Sequence, residues 1–132
     1  MRLVIDASAA LPAFTSPAGS GAFAGHDLVA PILLWSEFTA ELHAALRRGE
    51  ITARTAAAAL DAIDAIVERA DDPMLHRRAW AIAERLGWGR TYDAVYVAVA
   101  LDERLPLLTL DARLARGVGH VVTIVSPADL GL

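Results

Sequence analysis

Two periodicities share this chain. Leu3-Val4-Ile5, Leu28-Val29-Ala30, Leu105 to Leu110 and Val121 to Val125 are short apolar runs flanked by charge, Pro or Gly, the pattern of buried strands. The stretches between them read as helices. Ala7 to Phe14 suits a helix closed by Ser16-Pro17 and the Gly19-Ser20-Gly21 stretch. From Leu33 to Arg48, Leu34, Phe38, Leu42, Ala45 and Leu46 fall on one arc at 100° per residue. Gly49 ends that helix behind two cations, Arg47 and Arg48. Thr52 caps an alanine-rich helix running to about Arg69, with Leu60, Ile63 and Val67 as its apolar stripe. Met74 to Leu86 is a further helix, stopped by Gly87. A helix capped by Thr91 runs from Tyr92 to about Glu103, apolar nearly all round and so expected in the interior. Ala112 to Arg116 forms a last short helix.

Strands alternating with helices predict an α/β fold with a mostly parallel central sheet and helices on both faces. No repeat or low-complexity linker divides the 132 residues, so residues 1–132 read as one domain. Hydrophobic residues are 55% of the chain, enough for a real core, and the mean hydropathy is +0.41. No apolar run reaches the length of a membrane span. The acid at position 6 interrupts the N-terminal apolar run at once, unlike a signal peptide, so the expected location is the cytoplasm.

What is missing narrows the chemistry. There is no Cys, which excludes disulfides, thiolate metal sites and a cysteine nucleophile. All 12 basic residues are Arg. Without Lys there is neither a Walker A loop nor Schiff-base catalysis. The net charge of −4 gives the chain as a whole no attraction for nucleic acid.

Four acids stand where a strand yields to a helix or near a helix start. Asp6 follows Leu3-Val4-Ile5, and Glu37 lies shortly after Val29-Ala30-Pro31. Asp93 opens the helix after Gly89-Arg90-Thr91, and Asp111 follows Leu107 to Leu110. The carboxyl ends of parallel strands share one edge, where open α/β sheets bind their ligands. Each acid has a structural explanation by itself: Asp6 and Asp111 as N-caps, Asp93 as an anion in a first turn, Glu37 as a half-exposed helix residue. Capping does not require all four to fall at one edge. Two unit charges about 4 Å apart repel by roughly 4 kcal/mol at an effective dielectric near 20. A cluster of four carboxylates therefore protonates in part or takes a cation, and oxygen donors alone suit Mg²⁺ or Mn²⁺. Glu41, one turn after Glu37 on the same face, competes for the same role.

Other polar residues carry less. His26, His43, His76 and His120 lack metal-ligand spacing. Trp35, Trp80 and Trp88, with Tyr92 and Tyr96, read as packing residues. Arg90, Arg113 and Arg116 flank Asp93 and Asp111 and are the candidates for phosphate contacts.

Over nearly its whole length the chain resembles the PIN domains, and among them the VapC-type toxins of bacterial toxin–antitoxin pairs. The resemblance rests on Val4-Ile5-Asp6-Ala7-Ser8-Ala9, on Ala30-Pro31 through Leu34-Trp35-Ser36-Glu37 to Arg47-Arg48-Gly49, on Thr91-Tyr92-Asp93-Ala94 with Tyr96-Val97-Ala98, and on Leu108-Thr109-Leu110-Asp111-Ala112-Arg113-Leu114. It implies a PIN-like three-layer sandwich and an endoribonuclease dependent on Mg²⁺ or Mn²⁺. Asp6, Glu37, Asp93 and Asp111 match the family's acids, and Glu41 does not. It further implies an RNA substrate, a homodimer and a VapB-type antitoxin. Val95 stands where many relatives carry an additional acid.

Two other readings fit parts of the pattern. Asp6 at a strand end with Ser8 two residues on suits an aspartyl-phosphate phosphatase-like enzyme, although such enzymes generally place an acid where Ser8 stands. A non-catalytic binding module could keep the same fold.

Overall fold

The computed structural model describes residues 1–70 and 72–132. Five strands form one sheet, β1 (Arg2–Ile5), β2 (Asp27–Pro31), β3 (Val67–Ala70), β4 (Leu107–Leu108) and β5 (Ile124–Val125). Their order is β3-β2-β1-β4-β5, and every neighbouring pair is parallel. The helices are α1 (Ala7–Thr15), α2 (Leu33–Arg47), α3 (Ala53–Ile66), α4 (Leu75–Leu86), α5 (Tyr92–Glu103) and α6 (Ala112–Val118). Short 3-10 turns occupy Gly19–Phe23 and Pro127–Leu130.

The order of the strands dictates the layers. From β1 the chain steps to β2 and then β3, and afterwards returns to the other side of β1 for β4 and β5. Right-handed crossovers put the helices of these two journeys on opposite faces. Accordingly α1, α2 and α3 pack on one another, while α4 packs on α5. The expected α/β sandwich with a parallel sheet is present. The reversal between β1 and β4 creates a crevice at their carboxyl ends, the place where such sheets bind ligands.

The core follows the apolar blocks. Leu3, Val4, Ile5, Leu28, Val29, Leu107 and Leu108 are buried in the sheet. Leu34, Phe38, Leu42 and Ala45 are buried along α2, as the arc in the sequence requires. In α5 the run from Tyr96 to Ala100 is buried without interruption, which explains its weak amphipathicity. Phe14 meets Phe38 edge-on at 6.1 Å between ring centres, tying α1 to α2. Among the described residues no helix is long and apolar enough to cross a membrane.

Several boundaries differ from the sequence reading. The alanine-rich helix stops at Ile66 rather than near Arg69, and Val67–Ala70 becomes the edge strand β3. Val67 is buried within that strand, and Leu60 is exposed instead of completing an apolar stripe. The last two strands shrink to two residues each. The Thr91 side chain makes no capping hydrogen bond to α5.

Candidate functional site

Each of the four acids owes its position to a local backbone feature. Asp6 immediately follows β1 and caps α1, its Oδ1 accepting from the Ala9 N–H at 3.1 Å. Asp111 follows β4 and caps α6, accepting from the Arg113 and Leu114 N–H groups at 2.9 and 3.1 Å. Asp93 lies in the first turn of α5 and Glu37 in the second turn of α2. The caps anticipated from sequence are therefore real. They coexist with a cluster of charges that capping does not explain.

Asp6 is the most enclosed of the four, at 5% exposure. Ser8 Oγ donates to its Oδ1 at 2.6 Å, and Thr109 Oγ1 donates to its Oδ2 at 2.5 Å. Both hydroxyls also accept backbone hydrogens from the loop after β4. Ser8 Oγ takes the Leu110 N–H at 2.9 Å, and Thr109 Oγ1 takes the Asp111 N–H at 3.0 Å. The two hydroxyls thus fasten the Thr109–Asp111 turn to the Asp6 carboxylate across the β1–β4 crevice. Burial pushes the Asp6 carboxyl above its ordinary value, the hydroxyls and the Ala9 N–H oppose that, and Asp93 adds to it.

Glu37 is half-buried, and its Oε1 accepts the Tyr96 hydroxyl at 2.5 Å. Burial raises its carboxyl, Tyr96 holds it down, and Asp93, Asp6 and Glu41 push it up in that order. Asp93 is raised by burial first and then by Asp111, while Arg113 opposes both. Tyr96 in turn is driven well above the usual phenol range by burial and by the Glu37 carboxylate. The influences link Asp6, Glu37, Asp93 and Asp111 into one electrostatic group, with no ion pair to any of them among the described residues.

Glu41 is exposed and acts on Glu37 only as the last of its neighbours. Tyr96, read from sequence as packing, is buried but also holds Glu37. Its signal was its spacing, three residues beyond Asp93 on the same helix face. Ser8 and Thr109 each stand two residues from an acid, and their supporting role emerges only when β1 and β4 are neighbours. Trp35 is a packing residue as expected, donating to Asp64 at 2.9 Å under the Arg69 guanidinium. Tyr92 and Trp80 do not pack in the core of this chain: they are 58% and 66% exposed.

The donor set suits a hard divalent cation: carboxylate oxygens gathered without thiol or imidazole, each of the inner three pushed toward its neutral form by burial and by another acid. Among the described residues, however, no three acids or histidines stand as a ready-made ion cage. Asp6 is held by hydroxyls, Glu37 by Tyr96 and Asp111 by the α6 backbone.

Beside the acids lies a pocket of about 490 Å³, with Glu37 and Asp93 on its wall together with Trp88, Arg90, Tyr92 and Arg113.

The architecture and this acid-lined crevice define a recognised class. The PIN domain pattern matches residues 3–118. Ribonuclease VapC1 of Mycobacterium tuberculosis, from strain CDC 1551 / Oshkosh and from strain ATCC 25618 / H37Rv, is 34% identical over 124 residues, covering 88% of this chain and 90% of the relative. The crystal structure of PAE2754 from Pyrobaculum aerophilum superposes with a TM-score of 0.79 at 23% identity, over 98% of this chain and 92% of that one. The chain belongs to the PIN-domain family, among its VapC-type ribonucleases.

Proposed function

We propose that this chain is the toxin of a VapBC-type pair, an endoribonuclease that cuts RNA phosphodiester bonds at the acid-lined crevice with Mg²⁺ or Mn²⁺. One observation carries the assignment of the site: Asp6, Glu37 and Asp93 come from three separate elements, burial and a neighbouring acid push each toward its neutral form, and no described arginine forms an ion pair with any of them. Carboxylates kept only for structure are ordinarily paired or solvated.

Asp6, Glu37, Asp93 and Asp111 would hold the cation. When bound, it supplies charge neutralisation at the phosphodiester and a more acidic attacking water. The chain's own residues do the rest. Ser8 and Thr109 keep both Asp6 oxygens aimed from the sheet edge. Tyr96 keeps one Glu37 oxygen fixed, leaving the other to accept a proton from water or to bind. The α6 N-terminus orients Asp111 through Oδ1, so Oδ2 remains for the site. Arg113, which already acts on Asp93, offers positive charge for the substrate phosphate.

The phosphatase-like alternative has less support. Ser8 occupies the position of its second acid and donates to Asp6, an arrangement that immobilises the carboxylate rather than freeing it for attack. A VapB-type antitoxin is the expected partner, and a homodimer the expected assembly over a single domain spanning residues 1–132. Large apolar side chains exposed on the helices are Leu60 of α3, Trp80 of α4, and Tyr92 and Leu101 of α5, with Ile32 and Met74 just before α2 and α4.

The test is cleavage of a broad RNA panel by metal-stripped protein, with Mg²⁺ or Mn²⁺ restored. Cleavage restored by metal and lost in Asp93→Asn supports the reading. A soluble, metal-replete protein inactive on every RNA, whose expression leaves host growth unhindered, would overturn it.

A further inference from the structure

The pocket beside the acids contains more than catalysis requires. Glu37 and Asp93 form one part of its wall, and two aromatic rings and two arginines line it with Gly87, Gly89 and Leu114. Tyr92 is the residue immediately before Asp93, yet it is 58% exposed at the head of a helix whose middle, Tyr96 to Ala100, is buried. Leaving such a ring in water costs burial energy that an inward-facing position would have gained. Trp88 is half-buried and braced from behind: a Cβ on Gly117 of α6 would lie 3.4 Å from its ring. The α6 backbone at Gly117 thus lies close behind the ring. Arg90 and Arg113 are both exposed, and neither forms an ion pair with any described acid. Arg2, Arg48, Arg69 and Arg78 find carboxylate partners and the other arginines do not among the described residues; what sets Arg90 and Arg113 apart is that both line the pocket beside the acids.

An exposed aromatic face with unpaired guanidinium groups is the chemistry that grips single-stranded nucleic acid: the ring stacks a base, and the cations take phosphates. A base face becomes available only where the strand is unpaired. At about 490 Å³ the pocket falls in the size range of small-ligand sites, about 300–1,000 Å³, and so is suited to a nucleotide rather than a duplex. We propose that the Trp88–Tyr92 pocket is a subsite for one unpaired nucleotide adjoining the scissile phosphate, its base against Tyr92 and its backbone on Arg90 and Arg113. This deepens the ribonuclease reading and rests on it. It makes the substrate single-stranded at the cut, and because every base has a stacking face, the subsite itself is tolerant of sequence.

The test measures fluorescence anisotropy with Asp6→Asn protein in Mg²⁺, a background that blocks cutting at a residue outside the pocket lining. The probes are a fluorescein-labelled mixed-sequence ten-nucleotide RNA and the same strand annealed to its complement. The single strand should bind more tightly than the duplex. Tyr92→Ala should weaken it by about 5- to 100-fold, whereas Tyr92→Phe, which keeps the ring, should stay within about two-fold. Arg113→Gln should lower the slope of log affinity against log salt by about 0.7, the value for one phosphate contact on a single strand. Trp80→Ala, an exposed aromatic outside the pocket, should change nothing. A Tyr92→Ala protein that binds like its parent, or a duplex that binds as well as the single strand, overturns the subsite. Cleavage by wild-type protein separates the two levels: RNA cut normally by both wild type and Tyr92→Ala removes the subsite alone, and RNA cut by neither metal-loaded form removes the ribonuclease reading beneath it.

Discussion

Acidic residues gather in two regions of this protein and meet opposite fates. Away from the crevice, Arg2 bridges Glu68 and Glu103, and Arg78 bridges Asp72 and Asp102. Arg2 holds the Glu68 carboxyl below its ordinary range, and the Met74 N–H with Arg78 does the same for Asp72. At the crevice, Asp6, Glu37 and Asp93 are raised by burial and by neighbouring acids; hydroxyls and a backbone N–H hold Asp6 and Glu37, and Arg113 acts on Asp93 without forming an ion pair. The residue types are the same. The difference lies in whether an arginine forms an ion pair with the acid. A carboxylate paired with Arg cross-links the surface, whereas buried carboxylates beside other acids are pushed toward their neutral form.

The largest consequence concerns activity. Asp93→Asn should reduce RNA cleavage by at least about 100-fold, the upper end of what even an outer-shell change costs at a metal site. The same substitution should raise the melting temperature of the metal-free protein, because it removes a repelled charge. Asp102→Asn, in the paired region, should leave cleavage intact. If both acids proved equally dispensable, the contrast between the regions would collapse.

Tyr96→Phe is next. It keeps the buried ring and deletes only the hydroxyl that holds Glu37, so cleavage should fall by about 10- to 100-fold while the fold survives. An unchanged rate would return Tyr96 to the role of a packing residue.

The site was visible in the sequence to different depths. Asp6 and Asp111 could be placed because each directly follows an apolar strand, and the parallel order brings those strand ends together. Their partners could not be placed so easily. Ser8 and Thr109 lie 101 residues apart and meet only through the β1–β4 pairing. Strand β3 was hidden for a related reason. Ile66 runs into Val67 with no Gly or Pro to stop the helix, and Glu68 and Arg69 look like a helix surface. They are in fact the charged, exposed positions of an edge strand, a common guard against edge-to-edge pairing. Thr91 looked like a cap by residue type, yet its side chain caps nothing. Exposure was the least readable property: nothing local distinguishes Tyr92, in the open pocket, from Tyr96 in the interior.

The pH dependence of stability should have opposite signs in the two regions. For the crevice acids the folded-state affinity for protons exceeds that of the unfolded chain. Stability of the metal-free protein therefore falls as pH rises from the ordinary carboxylate range, near about 4, through their raised values. Glu68 and Asp72 are lowered, so their contribution is present above that range and is lost as pH falls. Both are exposed, and salt screens them. Melting curves between about pH 4.5 and 7 in chelator and high salt should show wild type losing more with rising pH than Glu37→Gln/Asp93→Asn. Parallel curves would mean the crevice acids do not interact as described.

The smallest effects sharpen the boundary of the site. Glu41→Gln should alter cleavage by no more than a few-fold, in contrast to Glu37→Gln, because Glu41 is exposed and is the weakest influence on Glu37. Equal losses would enlarge the site to five acids. Arg78→Ala should lower the melting temperature slightly, with the change fading in salt and activity untouched.

The central claim, that the unpaired acids form a cation site, is tested most directly by a Mn²⁺ titration of thermal stability at neutral pH. A ligand bound only by the folded protein stabilises it by RT ln(1 + [L]/Kd). Wild-type protein should melt at rising temperature as Mn²⁺ increases, and Asp6→Asn/Asp93→Asn should not respond. A wild-type melting temperature indifferent to millimolar Mn²⁺, or a variant that responds equally, would contradict the account.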